Sequence, residues 1–493
     1  MNRFLLFALT LGLLACQREG EEILPSPKKE EPVITQKDIL RNTDNLKWVA
    51  LTQDYQVSED EAKSLALSFA QKAQTSQSLA KGISLYAKGN TLEVETIKAV
   101  TKAHHSSFRS IALPQQQDVY IVNFKNNRGY LITSADKRVP GIFAYNDTGH
   151  WGDTLSTPGQ AFFYEYMLDY IQVYREAFEK KRKELAKEAW NEFTQGYSQK
   201  EKDSLYSLYF DKEGNIKKKD VRSSYKMAHY RSDDFDPDDP DCDRGEDYTV
   251  YRDWKLISSK DEMLKTEWGQ IGEYSNLVKK LPCGNPPVGC VATAVGQILA
   301  YYKKPSVFEG RTMHWEEMTS TPYISGLSNN PQAKNDIQYL LAHLGDKKFL
   351  DMSYACNESG SNIEKAFETF KKLGYPNIWL KNTINGTSTE INNGNLLYVR
   401  GTKKPNTDGH AWVVDGVKRY EAYKLDVIFV GCMRKEYEDS DVFELFHHNF
   451  GWGGLSNGWY AETFYSERAK EMFRRYYSSP YPYDIKVISH FVN

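Results

Sequence analysis

The chain has 493 residues, which is too many for one ordinary domain, so we expect at least two. Its hydrophobic content of 40% is enough to build folded cores, and its net charge of −3 gives no reason to expect nucleic acid as a partner. Six cysteines are too few for a disulfide framework at this length, and none pairs with His at zinc-ligand spacing. We therefore expect no structural metal.

The N-terminus has the form of a signal peptide. Arg3 precedes an apolar run over residues 4–14, which is too short to span a bilayer. "LLAC" ends at Cys16 and resembles a bacterial lipobox, in which processing leaves the cysteine as a lipidated first residue. An ordinary signal peptide with an incidental cysteine is the alternative. The sequence predicts an exported lipoprotein of the bacterial cell envelope, held by its lipid in the outer membrane or at the cell surface.

The N-terminal half shows alternating helix and strand signals. Ser58 and Glu61 have the spacing of a capping box at the start of a helix. Residues 118–147 read as a hairpin turning at 126–129, with a further short strand after Pro140. A long helix follows, whose aromatic residues recur every four positions and form one apolar stripe: Phe162, Tyr166, Tyr170, Tyr174 and Phe178.

Residues 211–247 differ in composition from both flanks. "DKEGNIKKKDVRSSYK" is basic and polar, and "SDDFDPDDPDCDRGED" is dense in Asp. Neither segment can bury much apolar surface, so we expect a domain boundary here. The Asp cluster lacks the Gly and terminal Glu of a calcium loop, and a solvated linker explains it better. Its Lys and Arg residues offer sites for proteolytic cleavage.

The C-terminal half begins with a helix signal and continues with strand signals. "GCVATAVGQILAYYKKP" predicts an amphipathic helix that ends before Pro305. "NLLYVRG", "GHAWVVDGV", "LDVIFVGCM" and "DVFELFHHNFGWGGLSNGWYAE" predict short strands separated by Gly-containing turns. A helix followed by a sheet indicates an α+β domain.

Cys290 lies at the start of that predicted helix. Pro286 and Pro287 stiffen the approach, and Gly289 leaves space beside the thiol. Unpaired N–H groups and the helix dipole lower the pKa of a thiol at such a position and favour the nucleophilic thiolate. A small buried residue in an Ala-rich helix is the other interpretation, and this stretch alone does not separate the two.

A nucleophilic cysteine needs a base, and the base needs an orienting group. His410 opens the strand "GHAWVVDGV", and Asn449 ends a strand before a glycine-rich turn that contains Trp452. The chain order Cys, His, Asn with long separations is that of papain-type enzymes.

Three motifs make a specific family resemblance. "GCVATAVGQILAYYKKP", "GHAWVVDGV" and "HNFGWGGLSNGWY" resemble those of the streptopain family of bacterial papain-like cysteine peptidases. "TEWGQIGEYSNLVKKLPC" is similar to the family segment before the nucleophile, and "YIVNFKNNRGYLITSADKRVPGIFAYND" to its inhibitory prodomain. The resemblance implies that Cys290 is the nucleophile, His410 the base and Asn449 the residue that orients it, with Trp452 beside the Asn.

Two positions depart from the pattern. Phe450 follows the Asn where the family usually has Trp, which keeps an aromatic cover but loses the indole donor. Papain places a Gln six residues before its cysteine, and Gly284 occupies that position here. We expect Gln270 to supply the oxyanion side-chain donor, with Asn285 as the second choice. The backbone N–H of Cys290 is a further donor at the helix start.

The resemblance implies an α+β fold in which a papain-like catalytic domain follows an α+β prodomain. In that domain an N-terminal helix carries the nucleophile and an antiparallel sheet carries the base. The expected segments are a lipoprotein signal peptide, a flexible tether, an inhibitory prodomain, an acidic linker and the peptidase domain, at 1–16, 17–44, 45–230, 231–247 and 248–493.

The expected function is peptide-bond hydrolysis by a lipid-anchored cysteine endopeptidase made as a zymogen. Its partners are polypeptide substrates, its own prodomain and, through the anchor, a membrane, and no cofactor is needed. A transglutaminase-like enzyme, a peptidoglycan amidase and an inert surface-binding lipoprotein are the alternatives. The sequence leaves cleavage specificity open, together with the pairing of Cys242, Cys283, Cys356 and Cys432.

Overall fold

The computed structural model describes ten stretches of the chain: 46–80, 92–101, 117–139, 141–152, 157–216, 247–384, 386–402, 409–430, 433–461 and 484–491. The predicted signal peptide with Cys16, the tether, most of the acidic linker, Cys242 and Cys432 lie outside them. No helix in these stretches is long and apolar enough to cross a membrane.

The N-terminal half contains the predicted helices and strands. Ser58 and Glu61 form the expected capping box, with the Ser58 N–H donating to Glu61 Oε2 at 2.7 Å. In the long helix, the predicted aromatic stripe is buried except for Tyr174, which is half-buried. The elements in order are α1 (46–52), α2 (Glu59–Ala80), β1 (Val94–Val100), β2 (Val119–Phe124), β3 (Tyr130–Ser134), β4 (Ile142–Asn146), α3 (Pro158–Phe193) and α4 (Gln199–Tyr209).

The C-terminal half begins with a strand that the sequence did not predict. After it come the predicted helix, a region of short elements, and then the predicted sheet. The elements are β5 (Tyr248–Lys260), α5 (Cys290–Tyr302), β6 (Val307–Phe308), β7 (Arg311–Thr312), α6 (Trp315–Met318), α7 (Pro331–Leu344), β8 (Ser353–Tyr354), β9 (Ser359–Gly360), α8 (Ile363–Lys372), β10 (Trp379–Lys381), α9 (Ser388–Asn392), β11 (Leu397–Thr402), β12 (Gly409–Val430), β13 (Met433–Asn449), β14 (Gly458–Ala461) and β15 (Asp484–Ser489).

Within the described residues, eleven strands from both halves form one antiparallel sheet. The order is β1-β2-β3-β4-β14-β13-β12-β11-β15-β10, and β5 pairs with the outer part of β12 beyond the end of β11. The halves join where β14 pairs with β4, Trp459 opposite Tyr145 and Tyr460 opposite Ala144. The expected α+β class, with a helix that carries Cys290 and an antiparallel sheet that carries His410, is confirmed. The domain boundaries remain predictions.

The expectation of several short strands in the last third was wrong for β12 and β13. "GHAWVVDGV" and "LDVIFV" belong to one continuous strand, and Gly416 lies at a register shift rather than in a turn. A bulge absorbs one extra residue without ending the ladder, so a glycine inside a strand does not require a reversal of the chain. The predicted helix α5 also differs from an amphipathic one, since Val291 to Ala300 are all buried.

Helices cover both faces of the sheet around β12. Trp412 and Val414 pack in the core that contains α2 and α3, whereas Ala411 and Val413 pack in the core that contains α5, α7 and α8. This division follows from the alternation of side chains along a strand. One face of the same strand therefore meets the N-terminal half, and the other meets the helix of the candidate nucleophile.

Candidate active site

Cys290 is the first residue of α5, as predicted, and is the one free cysteine among the described residues. Gly289 before it has φ of 89°, in the region that favours glycine. A Cβ at Gly289 would lie 2.4 Å from Met352 Cε and 2.6 Å from the Ser359 carbonyl oxygen. Only glycine fits this turn, and the turn places the thiol at the helix N-terminus.

The thiol is held in its protonated form in this state of the chain. Burial raises the pKa of Cys290, and the Ala411 N–H and the positive charge of Arg400 oppose that rise without reversing it. The lowering expected from the helix start is therefore outweighed here by desolvation. An imidazolium beside the sulfur would be needed to stabilise a thiolate.

A disulfide ties the loop before the nucleophile to the neighbouring hairpin. Cys283 and Cys356 are bonded across a separation of 73 residues. Cys283 lies in the loop that leads to α5, and Cys356 lies between β8 and β9, whose Ser359 contacts Gly289. The sequence left this pairing open because two cysteines so far apart carry no local signal.

Gln270 lies beside the start of α5. Its carbonyl accepts from the Val288 N–H at 2.9 Å, and its buried side chain donates through Nε2 to the Gly451 carbonyl at 3.2 Å. The second choice, Asn285, donates instead to the carbonyls of Ser275 and Asn276 at 2.7 and 3.1 Å. This geometry favours Gln270 over Asn285 as the oxyanion donor.

Asn449 lies in a closed ring of three buried side chains. Its Nδ2 donates to the Thr266 carbonyl at 2.9 Å, and its Oδ1 accepts from Gln297 Nε2 at 3.2 Å. Gln297 Oε1 in turn accepts from Thr266 Oγ1 at 3.1 Å. The Gly451 N–H also donates to Asn449 Oδ1, at 3.2 Å. Both lone pairs of that oxygen are thus occupied, and neither is used by His410.

Of this ring, the sequence analysis singled out only Asn449 and missed Thr266 and Gln297. Gln297 lies two helical turns after Cys290 on the same face of α5 and is fully buried. Its Oε1 also accepts from the Trp268 N–H at 3.1 Å, close to Gln270. The sequence signal for Gln297 is a polar side chain inside an otherwise apolar helix. A buried amide needs hydrogen-bond partners, so such a residue indicates a buried polar contact.

His410 faces the opposite side of the sheet from Cys290. Its ring is stacked with that of Trp412, with centroids 6.0 Å apart, on the face that meets α3. Its Nε2 donates to the Phe450 carbonyl at 2.9 Å. Burial lowers the pKa of His410 to about 4, and the bond to Phe450 only partly offsets that effect. The imidazole is therefore neutral at physiological pH.

Of the predicted site residues that the structure describes, three lie together and two lie apart from them. Cys290, Gln270 and Asn449 lie on the α5 side, while His410 lies on the α3 side. No hydrogen bond joins His410 to Cys290 or Asn449 in the described part of the chain. Trp452 is half-buried and packs against the core on the α3 side, and its indole N–H has no partner among the described residues.

The first turns of α3 cover the strands that hold His410. A Cβ at Gly159 would lie 2.5 Å from the Phe450 ring, so the helix backbone rests directly on that ring. Phe162 contacts Trp412, with ring centroids 5.8 Å apart. Thr157, the N-cap of α3, lies 3.0 Å from the Ser456 hydroxyl, oxygen to oxygen. The N-terminal half therefore buries the histidine in its present orientation.

We expect Asn449→Ala to lower both the melting temperature and kcat/KM for peptide hydrolysis. The variant breaks the polar ring, and it removes the carbonyl that would orient His410. Loss of a positioned group costs about 10²–10⁴-fold in rate. Gln297→Leu is the matched control, because it breaks the same ring while keeping Asn449. Equal kcat/KM for the two variants would remove Asn449 from an orienting role.

Comparisons with known proteins agree with the motifs. Residues 268–460 match the Peptidase C10 family, and residues 54–170 match the Spi protease inhibitor family. The chain is 30% identical over 217 residues to the thiol protease/hemagglutinin PrtT of Porphyromonas gingivalis, a match that covers 39% of this chain and 22% of PrtT. Streptopain of Streptococcus pyogenes is 21% identical over 443 residues, covering 83% of this chain and 85% of streptopain.

Among solved structures, a fragment of Prevotella intermedia prointerpain A has a TM-score of 0.43 at 17% identity, covering 77% of this chain and 97% of that fragment. The resemblance to streptopain expected from the sequence is confirmed by the two family matches and by the relatives. The chain therefore contains a cysteine peptidase domain of the C10 family, preceded by a domain of the Spi protease inhibitor family.

Proposed function

We propose that this chain is an exported, lipid-anchored cysteine endopeptidase that is made as a zymogen. One observation carries the proposal. Cys290 begins a helix beside Gln270, while α3 of the inhibitor-family half packs over the strands that hold His410. A latent peptidase must keep its nucleophile and its base apart. Here the sheet separates Cys290 from His410, and α3 covers the base.

In the active form, the Cys290 thiolate attacks the carbonyl carbon of the scissile peptide bond. The Gln270 side chain and the Cys290 N–H stabilise the oxyanion. The His410 imidazolium gives its proton to the leaving amine, and the acyl-enzyme remains. His410 then accepts a proton from water, which attacks the acyl-enzyme and frees Cys290. Each step uses groups of this chain and needs no cofactor.

Activation requires His410 to release the Phe450 carbonyl and to turn towards Cys290. In the present arrangement both partners are neutral, because burial raises the pKa of the thiol and lowers that of the imidazole to about 4. A proton can pass from one to the other only when they are adjacent. Departure of α3 uncovers Phe450 and Trp412 and frees the strand end to move.

Two kinds of alternative function remain: another acyl-transfer enzyme with the same catalytic residues, and a protein without catalytic activity. A transglutaminase-like acyltransferase or a peptidoglycan amidase would use the same acyl-enzyme, and transfer to an added amine or release of cell-wall peptides distinguishes them. An inert surface-binding lipoprotein would not need Cys290, His410 and Asn449 together. The presence of all three favours an enzyme.

Cys290→Ala should abolish peptide hydrolysis while leaving the fold intact, because the side chain is small and its removal breaks no structural bond. An epoxide-type thiol inhibitor should label Cys290 in the cleaved enzyme, as mapped by mass spectrometry. Cys283 and Cys356 are internal controls, since a disulfide blocks them. Substantial hydrolysis by Cys290→Ala would disprove the assignment of the nucleophile.

The uncut chain should react slowly with iodoacetamide at pH 6–7 and faster as the pH rises. Its raised thiol pKa leaves little thiolate near neutrality, and the neutral His410 gives no help. The cleaved enzyme, once separated from its N-terminal half, should react rapidly at pH 6–7, because a thiolate–imidazolium pair forms. Alkylation rates measured across pH 5–9, beside kcat/KM for both forms, test this. Equal activity of the uncut chain and of the enzyme separated from its N-terminal half would exclude a zymogen.

The lipid anchor is proposed from the sequence alone, since Cys16 lies outside the described residues. Wild-type protein expressed in a bacterium should incorporate labelled fatty acid and partition into the detergent phase. Cys16→Ser should do neither, because the thiol that carries the lipid is absent. Equal labelling of the variant would leave an ordinary signal peptide as the explanation of residues 1–16.

A further inference from the structure

The hairpin formed by β12 and β13 extends far beyond the site. From Asn449 to Lys435 the strand β13 covers about 46 Å at about 3.3 Å per residue. From Gly159 to Phe193 the helix α3 covers about 51 Å at about 1.5 Å per residue. The two elements have matching lengths, and they contact each other at both ends.

The near contact is the one over His410 already described, between the first turns of α3 and the strands. The far contact lies at the hairpin tip, which we define as Ile428, Val430, Lys435 and Tyr437. Its apolar members pack against α1, the last turn of α3 and the end of α4. The buried residues from those helices are Trp48, Leu51, Ala189, Trp190, Phe193, Tyr209 and Phe210.

An aromatic stack and a helix cap give the far contact its specificity. The rings of Trp48 and Tyr437 are stacked with centroids 4.1 Å apart. Lys435 Nζ donates to the Phe193 carbonyl at 2.5 Å and to the Glu192 carbonyl at 3.4 Å. These carbonyls lie at the end of α3, where the helix dipole favours a cation, and the Glu192 carbonyl also accepts from the Gln195 N–H at 3.1 Å.

We propose that the hairpin tip is a second docking surface for the chain's own N-terminal half, remote from the catalytic residues. This proposal depends on the proposed function in one respect, because it assumes that the chain between the two halves is cut. Once cut, the near contact blocks the site while the far contact holds the same rigid helix in place. Two contacts on one helix bind far more tightly than either does alone. The tip thus keeps the cleaved N-terminal half bound as an inhibitor.

The test uses the full chain with Cys290→Ala, so that it cannot cut itself, and with a foreign protease site inserted at 231–246. After cutting, dissociation of the two pieces is followed by surface plasmon resonance. Tyr437→Ala should raise the dissociation constant about tenfold, the loss expected for one buried aromatic contact. Trp48→Ala should do the same from the other side, and the double variant should lose no more than either single variant.

Two control variants should bind like wild type. Tyr437→Phe keeps the stacked ring and removes a hydroxyl that has no hydrogen-bond partner among the described residues. Tyr423→Ala truncates an exposed tyrosine on the same hairpin. If Tyr437→Ala and Trp48→Ala dissociate no faster than these controls, the second docking surface is disproved.

Activity separates this proposal from the proposed function. With Cys290 intact, the cut Tyr437→Ala enzyme should be inhibited less by its bound N-terminal half at nanomolar dilution. Its kcat/KM after complete removal of that half should equal that of wild type. If the pieces dissociate as expected but neither form hydrolyses peptides, the docking surface stands and the peptidase assignment fails.

Discussion

The alternation of side chains along β12 is the constraint on which the rest of the site depends. A strand cannot direct two adjacent residues to the same face, so His410 and Ala411 point to opposite sides of the sheet. Ala411 lies on the side of Cys290, and His410 lies on the side of α3. As long as α3 holds the strand end in this register, base and nucleophile are separated by the thickness of the sheet.

The nucleophile side of the site is already built in this state. The ring of Thr266, Gln297 and Asn449 ties α5 to the segment before Gln270 and to the end of β13. All three side chains are buried, and every bond in the ring would leave an unpaired group if broken. The proposed oxyanion donors are therefore positioned independently of the histidine. In the proposed maturation, α3 leaves and the end of β12 moves, while the rest of the site stays as it is.

Local signals predicted the elements that depend on local chemistry. The capping box at Ser58, the hairpin near 126–129, the aromatic stripe of α3 and the helix start at Cys290 all depend on neighbouring residues. The strand β5 was missed because its stability comes from pairing with β12, more than a hundred and fifty residues later, as the Lys260–Val417 pair illustrates. Gly416 was read as a turn because a bulge and a turn use the same residue.

The sequence predicted which residues form the site, but only partly how they are arranged. The motifs located Cys290, Gln270, Asn449 and His410, but no pattern within "GHAWVVDGV" states which face the histidine takes. That choice is made by Phe450 and the helix packed on it, which are distant in sequence. Gln297 belongs to no motif, and its hydrogen-bond partners Thr266 and Asn449 are distant in sequence, so only its polar character inside an apolar helix marks it.

The disulfide between Cys283 and Cys356 means that this peptidase domain needs an oxidised cysteine pair and a reduced cysteine close together in the chain. As the proposed nucleophile, Cys290 must stay a free thiol, whereas the bond a few residues before it must stay oxidised to close its loop of 73 residues. Loop closure of this kind contributes about 3–5 kcal/mol to stability. A reductant that restores an oxidised Cys290 must therefore be too weak to open the Cys283–Cys356 bond, because opening it would release the hairpin that walls the turn. The redox window for the working enzyme is therefore bounded on both sides, by inactivation of the nucleophile above it and by loosening of its surroundings below.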